Sequence, residues 1–118
     1  TRMPRAPRFV AGVLNLRGRI VPVLDLRKRF DMPLMERTDE SRILIAEVKE
    51  QWVGLLVDRV VGVVRTPASS ILAPGGTVLT VEPHFLKGRI LLEERLILLL
   101  DLEKLFSLGS GKALPEAE

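Results

Sequence analysis

The sequence predicts an all-β protein with two similar subdomains in one chain. Three observations carry this. Residues 9–30 read F-V-A-G-V-L-N-L-R-G-R-I-V-P-V-L-D-L-R-K-R-F, two apolar runs around a glycine-bearing turn. Residues 85–106 read F-L-K-G-R-I-L-L-E-E-R-L-I-L-L-L-D-L-E-K-L-F and align with them without a gap, 76 positions on. Nine of the twenty-two pairs are identical: Phe9/Phe85, Gly12/Gly88, Leu16/Leu92, Arg19/Arg95, Leu24/Leu100, Asp25/Asp101, Leu26/Leu102, Lys28/Lys104 and Phe30/Phe106. An internal repeat of this kind is a fold-level signal, because each copy specifies the same supersecondary unit. Between the copies, residues 42–65 carry a further hairpin pattern.

Taken in order, residues 1–8 hold two prolines among basic residues and read as an extended connector. In the first copy, Val13, Leu14 and Leu16 make one strand, and Ile20, Val21, Val23 and Leu24 make the second, rich in β-branched residues. Arg17-Gly18-Arg19 is the turn, with Gly18 free to take positive φ. Asp25 caps a short helix running to Arg29, since its carboxylate can accept the free N–H groups of a first helical turn. Residues 31–41 form a polar loop with Pro33 and mark a subdomain boundary.

Ile43 to Val48 make the next strand, Lys49-Glu50-Gln51 the turn and Trp52 to Val57 the return, with Gly54 in its middle. The β signal continues through residues 58–64 after a bulge or bend at Asp58 or Gly62. Residues 66–83 are loop-like, broken by Pro67, Pro74, Gly75-Gly76 and Pro83, with short apolar pieces at Ile71-Leu72 and residues 78–81 that can pair locally. The second copy follows. Residues 107–118 form a flexible Gly/Ser/Pro tail. The expected division is a first subdomain over 1–41 and a second over 42–106. On this division the first copy lacks the leading hairpin that precedes the second. The edges of its sheet would stand open, and open edges recruit strands, so a homodimer or strand-swapped dimer is expected.

At 118 residues the chain is one compact domain or two very small ones. It has no cysteine, which excludes disulfides, thiolate nucleophiles and Cys-ligated metal and fits a reducing, cytoplasmic setting. Its longest apolar runs are about five residues against the roughly 20 of a membrane-spanning helix, and no signal-peptide pattern opens it. The net charge is +3, unevenly spread. Residues 1–30 hold eight basic residues and one acid, Asp25; the rest hold 10 basic and 14 acidic, a balance of −4. Such asymmetry steers a protein toward an acidic partner, or simply forms a solvated basic face.

No catalytic constellation emerges. His84 is the only histidine, without cysteine or tyrosine to partner it. Glu93-Glu94 fall on the turn aligned with Arg17-Gly18, where solvated acids are expected rather than an acid–base pair. Asp25 and Asp101 each follow an apolar strand and suit capping. Gly75-Gly76 lacks the Lys-Ser/Thr of a phosphate loop, no cluster has metal-ligand spacing, and no cofactor is implied. The basic first third offers only Phe9 and Phe30 as stacking platforms for nucleic acid. Arg17 stands out, because a guanidinium at a hairpin tip can fork onto a carboxylate or carbonyls, either bracing the subdomains or receiving a partner. Trp52 is a core residue or an interface residue.

Phe9 through Arg27, with Pro4-Arg5-Ala6-Pro7 before it, resembles the signature of the CheW-like family. Trp52-Val53-Gly54-Leu55-Leu56-Val57-Asp58 resembles that family's second-half strand, and residues 96–102, ending in Asp101-Leu102, its closing strand. The resemblance implies two SH3-like five-stranded β-barrel subdomains, the first incomplete at its N-terminus because the family's usual N-terminal strand pair is missing. It implies no enzymatic activity but an adaptor coupling chemoreceptor cytoplasmic tips to the regulatory domain of the histidine kinase CheA. By motif match, Gly12, Asn15, Leu16, Arg17 and Gly18 lie at or near the receptor groove. Alternatives are a regulatory-domain fragment of a CheA or CheV protein and, from another class, a basic nucleic-acid-binding barrel.

Overall fold

The structure, a computed structural model, describes residues 9–76, 81–108 and 112–113. It is built from strands with two single-turn helices: β1 (Val10–Leu16), β2 (Arg19–Asp25), α1 (Leu26–Arg29), β3 (Arg42–Val48), β4 (Gln51–Val57), β5 (Leu86–Leu92), β6 (Arg95–Leu100), α2 (Leu102–Leu105), β7 (Ser107–Leu108) and β8 (Lys112–Ala113). Residues 68–70 and 83–85 add two 3₁₀ turns. The chain divides into two compact units, residues 1–60 with 106–118, and residues 61–105.

The repeat is reproduced to the residue. β1 and β2 pair antiparallel from Val10↔Leu24 to Leu16↔Arg19, with a bulge between Val10 and Gly12. β5 and β6 pair from Leu86↔Leu100 to Leu92↔Arg95, with a bulge between Leu86 and Gly88. Every partnership of the first ladder recurs 76 positions on. The Asp25 N–H donates to the Phe9 carbonyl at 2.8 Å, and the Asp101 N–H to the Phe85 carbonyl at 2.8 Å. Both aspartates act as the expected caps. The Asp25 carboxylate accepts from the Arg27 and Lys28 amides at 3.0 and 3.4 Å, and Asp101 accepts from the Lys104 amide at 3.3 Å.

The β1–β2, β3–β4 and β5–β6 hairpins each turn through two residues, both at positive φ: Arg17 (53°) and Gly18 (79°), Lys49 (51°) and Glu50 (67°), Glu93 (49°) and Glu94 (69°). Such turns match the right-handed twist of the flanking strands. The expected three-residue turns 17–19 and 49–51 are therefore one residue shorter, with Arg19 and Gln51 already in ladder register.

The first unit holds a four-stranded sheet in the order β1-β2-β4-β3. β2 and β4 run parallel, with Val23↔Gly54, Leu24↔Leu55 and Asp25↔Leu56. Being central, β2 supplies the core: Val21, Pro22, Val23 and Leu24 are buried, with Val53, Leu55 and Phe30. Pro22 sits in this central strand without breaking it, because the parallel ladder to β4 begins only at Val23. A Cβ on Gly54 would lie 3.2 Å from Val23 Cγ2 and 3.0 Å from Ile43 Cγ2, so the missing side chain lets the strands close up.

This corrects the expected division at residue 41. The 42–57 hairpin does not lead the second copy but completes the sheet of the first, because the outer edge of β2 receives β4. The second unit contains β5 and β6, with Leu86, Ile90 and Leu105 buried and Leu72 bridged to Arg89 through two backbone bonds of 2.8 and 2.9 Å. Leu72 thus pairs with β5, outside the loop where local pairing was expected; residues 77–80, covering most of the other expected piece, lie outside the described residues. The predicted β signal over 58–64 forms no strand. Val61 and Val63 are 77% and 94% exposed there, which β propensity alone cannot prevent in a segment without a ladder partner. In the tail, β7 and β8 form a short antiparallel ladder.

Candidate partner-binding site

The β1–β2 hairpin displays the residues that the motif singles out. β1 is an outer strand of its sheet. Gly12 and Asn15 lie exposed along it and Leu16 is half-buried. Successive strand side chains point to opposite faces, so Leu14 and Leu16 turn one way and Val13 and Asn15 the other. Arg17 and Gly18 form the exposed turn. Gly18, at φ 79°, is a residue suited to that left-handed position; Arg17 adopts φ 53° beside it and is thereby presented at the tip. The five expected site residues thus share one continuous edge and tip of a single hairpin.

Two contacts that sequence reasoning missed fix the surroundings. The Arg19 guanidinium stacks 4.1 Å from the centroid of the Trp52 ring, a cation–π contact joining β2 to β4. The parallel pairing places the turn at Lys49-Glu50 at the same end of the sheet as Arg17-Gly18. Arg17, Arg19 and Lys49 are all exposed there, with Glu50 the acid among them. Trp52 is half-buried and carries Arg19 on its ring. A planar, always-charged group on an apolar ring has few rotamers left, which suits it to fork onto a carboxylate.

The second contact lies beyond α1. Arg27 donates Nε to Asp58 Oδ1 at 2.8 Å and Nη2 to Oδ2 at 2.6 Å, and Nη1 to the Pro33 carbonyl at 2.8 Å. The Arg27 bonds hold the Asp58 carboxyl below the usual carboxylate range, and the same bonds raise the guanidinium's already high pKa. A cavity of about 50 Å³ beside this pair is lined by Asp25, Arg27, Met35, Glu36, Arg37 and Asp58 among others. No local pattern could have announced this pair: its members are 31 residues apart, and only the β2–β4 register brings them together.

The residues weighed for chemistry stay apart. His84 is exposed in a 3₁₀ turn, edge-on to Phe85 with ring centroids 5.1 Å apart. Glu93 and Glu94 are exposed turn residues. Among the described residues no three His, Asp or Glu side chains gather to hold a metal, and no helix is long and apolar enough to cross a membrane.

The profile of the CheW-like domain matches residues 1–109. The chain belongs to the CheW-like family. Similar proteins include a probable chemotaxis protein CheW of Rhizobium etli, 37% identical over 114 residues that cover 96% of this chain and 73% of that protein, and chemotaxis protein CheW of Rhizobium meliloti, 37% identical over 106 residues, 90% of this chain and 68% of that one. Among solved structures, the crystal structure of the scaffolding protein TtCheW from Thermoanaerobacter tengcongensis superposes with a TM-score of 0.84 at 37% identity, covering 96% of this chain and 72% of that one. The CheW-like chain is accordingly all-β with SH3-like subdomains.

Proposed function

We propose that this chain is a non-catalytic scaffold of chemotaxis signalling, coupling chemoreceptor cytoplasmic tips to the histidine kinase CheA by protein–protein contacts. The observation that carries the reading is the β1–β2 hairpin itself. Asn15-Leu16-Arg17-Gly18 is offered at a solvent-facing edge and turn, in a chain whose fold matches a scaffolding protein at a TM-score of 0.84. A surface of this type works by shape and charge, with arginine the favoured anchor. Scattered, exposed titratable groups supply no acid–base pair, which supports a binding role over catalysis. A cytoplasmic site of action, where the receptor tips lie, belongs to the same proposal. Gly12, Asn15, Leu16, Arg17 and Gly18 make the partner contact in this proposal.

A homodimer belongs to the proposal as a second use of the sheet edges. β1 and β3 are outer strands, and β3 leaves Ile43, Leu44 and Ile45 39–42% exposed. The test of the main reading is a pull-down of a CheA regulatory domain and of a receptor tip with the unmodified chain and with Arg17→Ala. Retention of at least one partner by the unmodified chain, and its loss by the variant, is the expected result. Retention of neither partner would overturn the scaffold reading.

A further inference from the structure

The cation–π pair at the end of the first sheet fixes one guanidinium and leaves its donors unspent. Leu16 and Arg19 are direct ladder partners, so their side chains share a face of the sheet. Trp52 shares that face too, because Arg19 and Trp52 each stand an even number of residues before the parallel partners Val23 and Gly54. Leu16, Arg19 and Trp52 therefore line one face, all within strands of the same four-stranded sheet.

The Arg19 guanidinium lies 4.1 Å from the centroid of the Trp52 ring. That attraction is between a charge and the ring's π-electrons, and it uses up none of the five N–H donors of an arginine. The acids at hand do not take them. Glu47, the ladder partner of Trp52, and Glu50, in the turn, form no ion pair with Arg19 among the described residues. Arg17 and Lys49, exposed at the same end, form none with any described residue. One of these three cations is thus held in place before a partner arrives, so less side-chain freedom is lost on binding.

The Trp52 contact also says what kind of anion fits. A nucleic acid reaching this end would need an aromatic face to stack on, and Arg19 already lies over the Trp52 ring. A carboxylate needs only a pair of in-plane N–H donors, which an arginine offers and a lysine does not. Position favours a protein carboxylate, since Arg19 directly follows the Asn15–Gly18 stretch and faces Leu16 across the ladder.

We propose that Arg19, seated on Trp52, is a specificity-determining residue of the partner site and takes an Asp or Glu carboxylate of the receptor tip that meets the Asn15–Gly18 stretch. This rests on the reading of that stretch as a partner contact, and it adds a chemical requirement: the partner must carry an acid where it meets β2. Trp52 acts through Arg19, as a positioning residue.

Trp52 is the chain's single tryptophan, so its emission reports on Arg19 directly. The probe is a tryptophan-free receptor-tip fragment titrated into the intact chain, with affinities measured by calorimetry. Binding is expected to shift the Trp52 emission. Arg19→Ala is expected to weaken binding about tenfold, in the range for loss of an interface anchor, and Arg19→Lys is expected not to restore it. Trp52→Phe is expected to weaken binding when Arg19 is present and to have no further effect once Arg19 is alanine. A tip fragment with its Asp and Glu side chains converted to amides is expected not to move the emission. Arg19 is exposed, and melting curves of each variant separate a lost contact from a lost fold. Unchanged affinity in Arg19→Ala, full rescue by Arg19→Lys, or equal binding of the amide fragment would each overturn this inference alone. No binding by the unmodified chain to the receptor tip or to a CheA regulatory domain would overturn the scaffold reading and this inference together.

Discussion

Arg27 and Asp58 form a two-pronged ion pair, with Nε to Oδ1 at 2.8 Å and Nη2 to Oδ2 at 2.6 Å. It ties the turn of helix after β2 to the residue that follows β4, and through the Pro33 carbonyl it also holds the loop that leaves α1. The pair faces solvent, with the Asp58 side chain 58% accessible, so its value lies in geometry more than in charge.

The first prediction is a pH dependence. The folded chain holds the Asp58 carboxyl below its ordinary value because Arg27 donates to it. The unfolded chain therefore binds the Asp58 proton more readily. The stabilisation is complete above the unfolded-state pKa of about 4 and is lost as pH falls through the lower folded value. Thermal melts of the native chain and Asp58→Asn should differ at neutral pH and converge on acidification. A constant difference across that range would show that the carboxylate is not the source.

Gly88 gives a packing prediction. A Cβ there would lie 2.7 Å from the Leu72 carbonyl oxygen and 2.6 Å from Ile71 Cγ2, and Leu72 is held in place by its backbone bonds to Arg89. Gly88→Ala should cost about 1–3 kcal/mol, the usual penalty of overpacking. Gly76→Ala, with nothing within 4 Å of the added atom, is the control and should change stability little. Denaturant titration of both variants makes the comparison.

Turn chemistry gives a stabilising change. Glu93 and Glu94 hold φ of 49° and 69°, a region costing an ordinary L-residue roughly 1–2 kcal/mol. They also place two like charges side by side. Glu93→Asn with Glu94→Gly, the pair best suited to this turn, should raise the melting temperature, with a gain of about 1 kcal/mol by chemical denaturation. Gly18→Ala should move stability in the opposite direction.

Capping and binding should separate cleanly in the first hairpin. Asp25→Ala removes the acceptor of two helix amides and should cost about 1 kcal/mol. Arg17→Ala changes an exposed turn residue and should leave stability within about 0.5 kcal/mol while reducing partner retention. Melting curves and pull-downs on the same samples test both statements.

The sequence by itself determined what neighbouring residues settle between themselves. Each hairpin's register follows from a two-residue turn and an alternating apolar pattern within about twenty positions, so the 76-residue repeat could be read directly and reappears pair for pair. Asp25 and Asp101 were legible as caps because a cap acts over three residues. Gly12, Asn15, Leu16, Arg17 and Gly18 were legible as neighbours because they lie within one hairpin. Which strand would lie against β2 was not legible. β3 and β4 lie between the two copies in sequence, and local propensity favours neither. The choice rests on the close approach of Gly54 to Val23, on burying the apolar face of β2 and on the reach of Arg27 to Asp58. Those are contacts between residues about thirty positions apart, and they exist only once the parallel ladder has formed. Tertiary structure therefore decided which copy the hairpin completes.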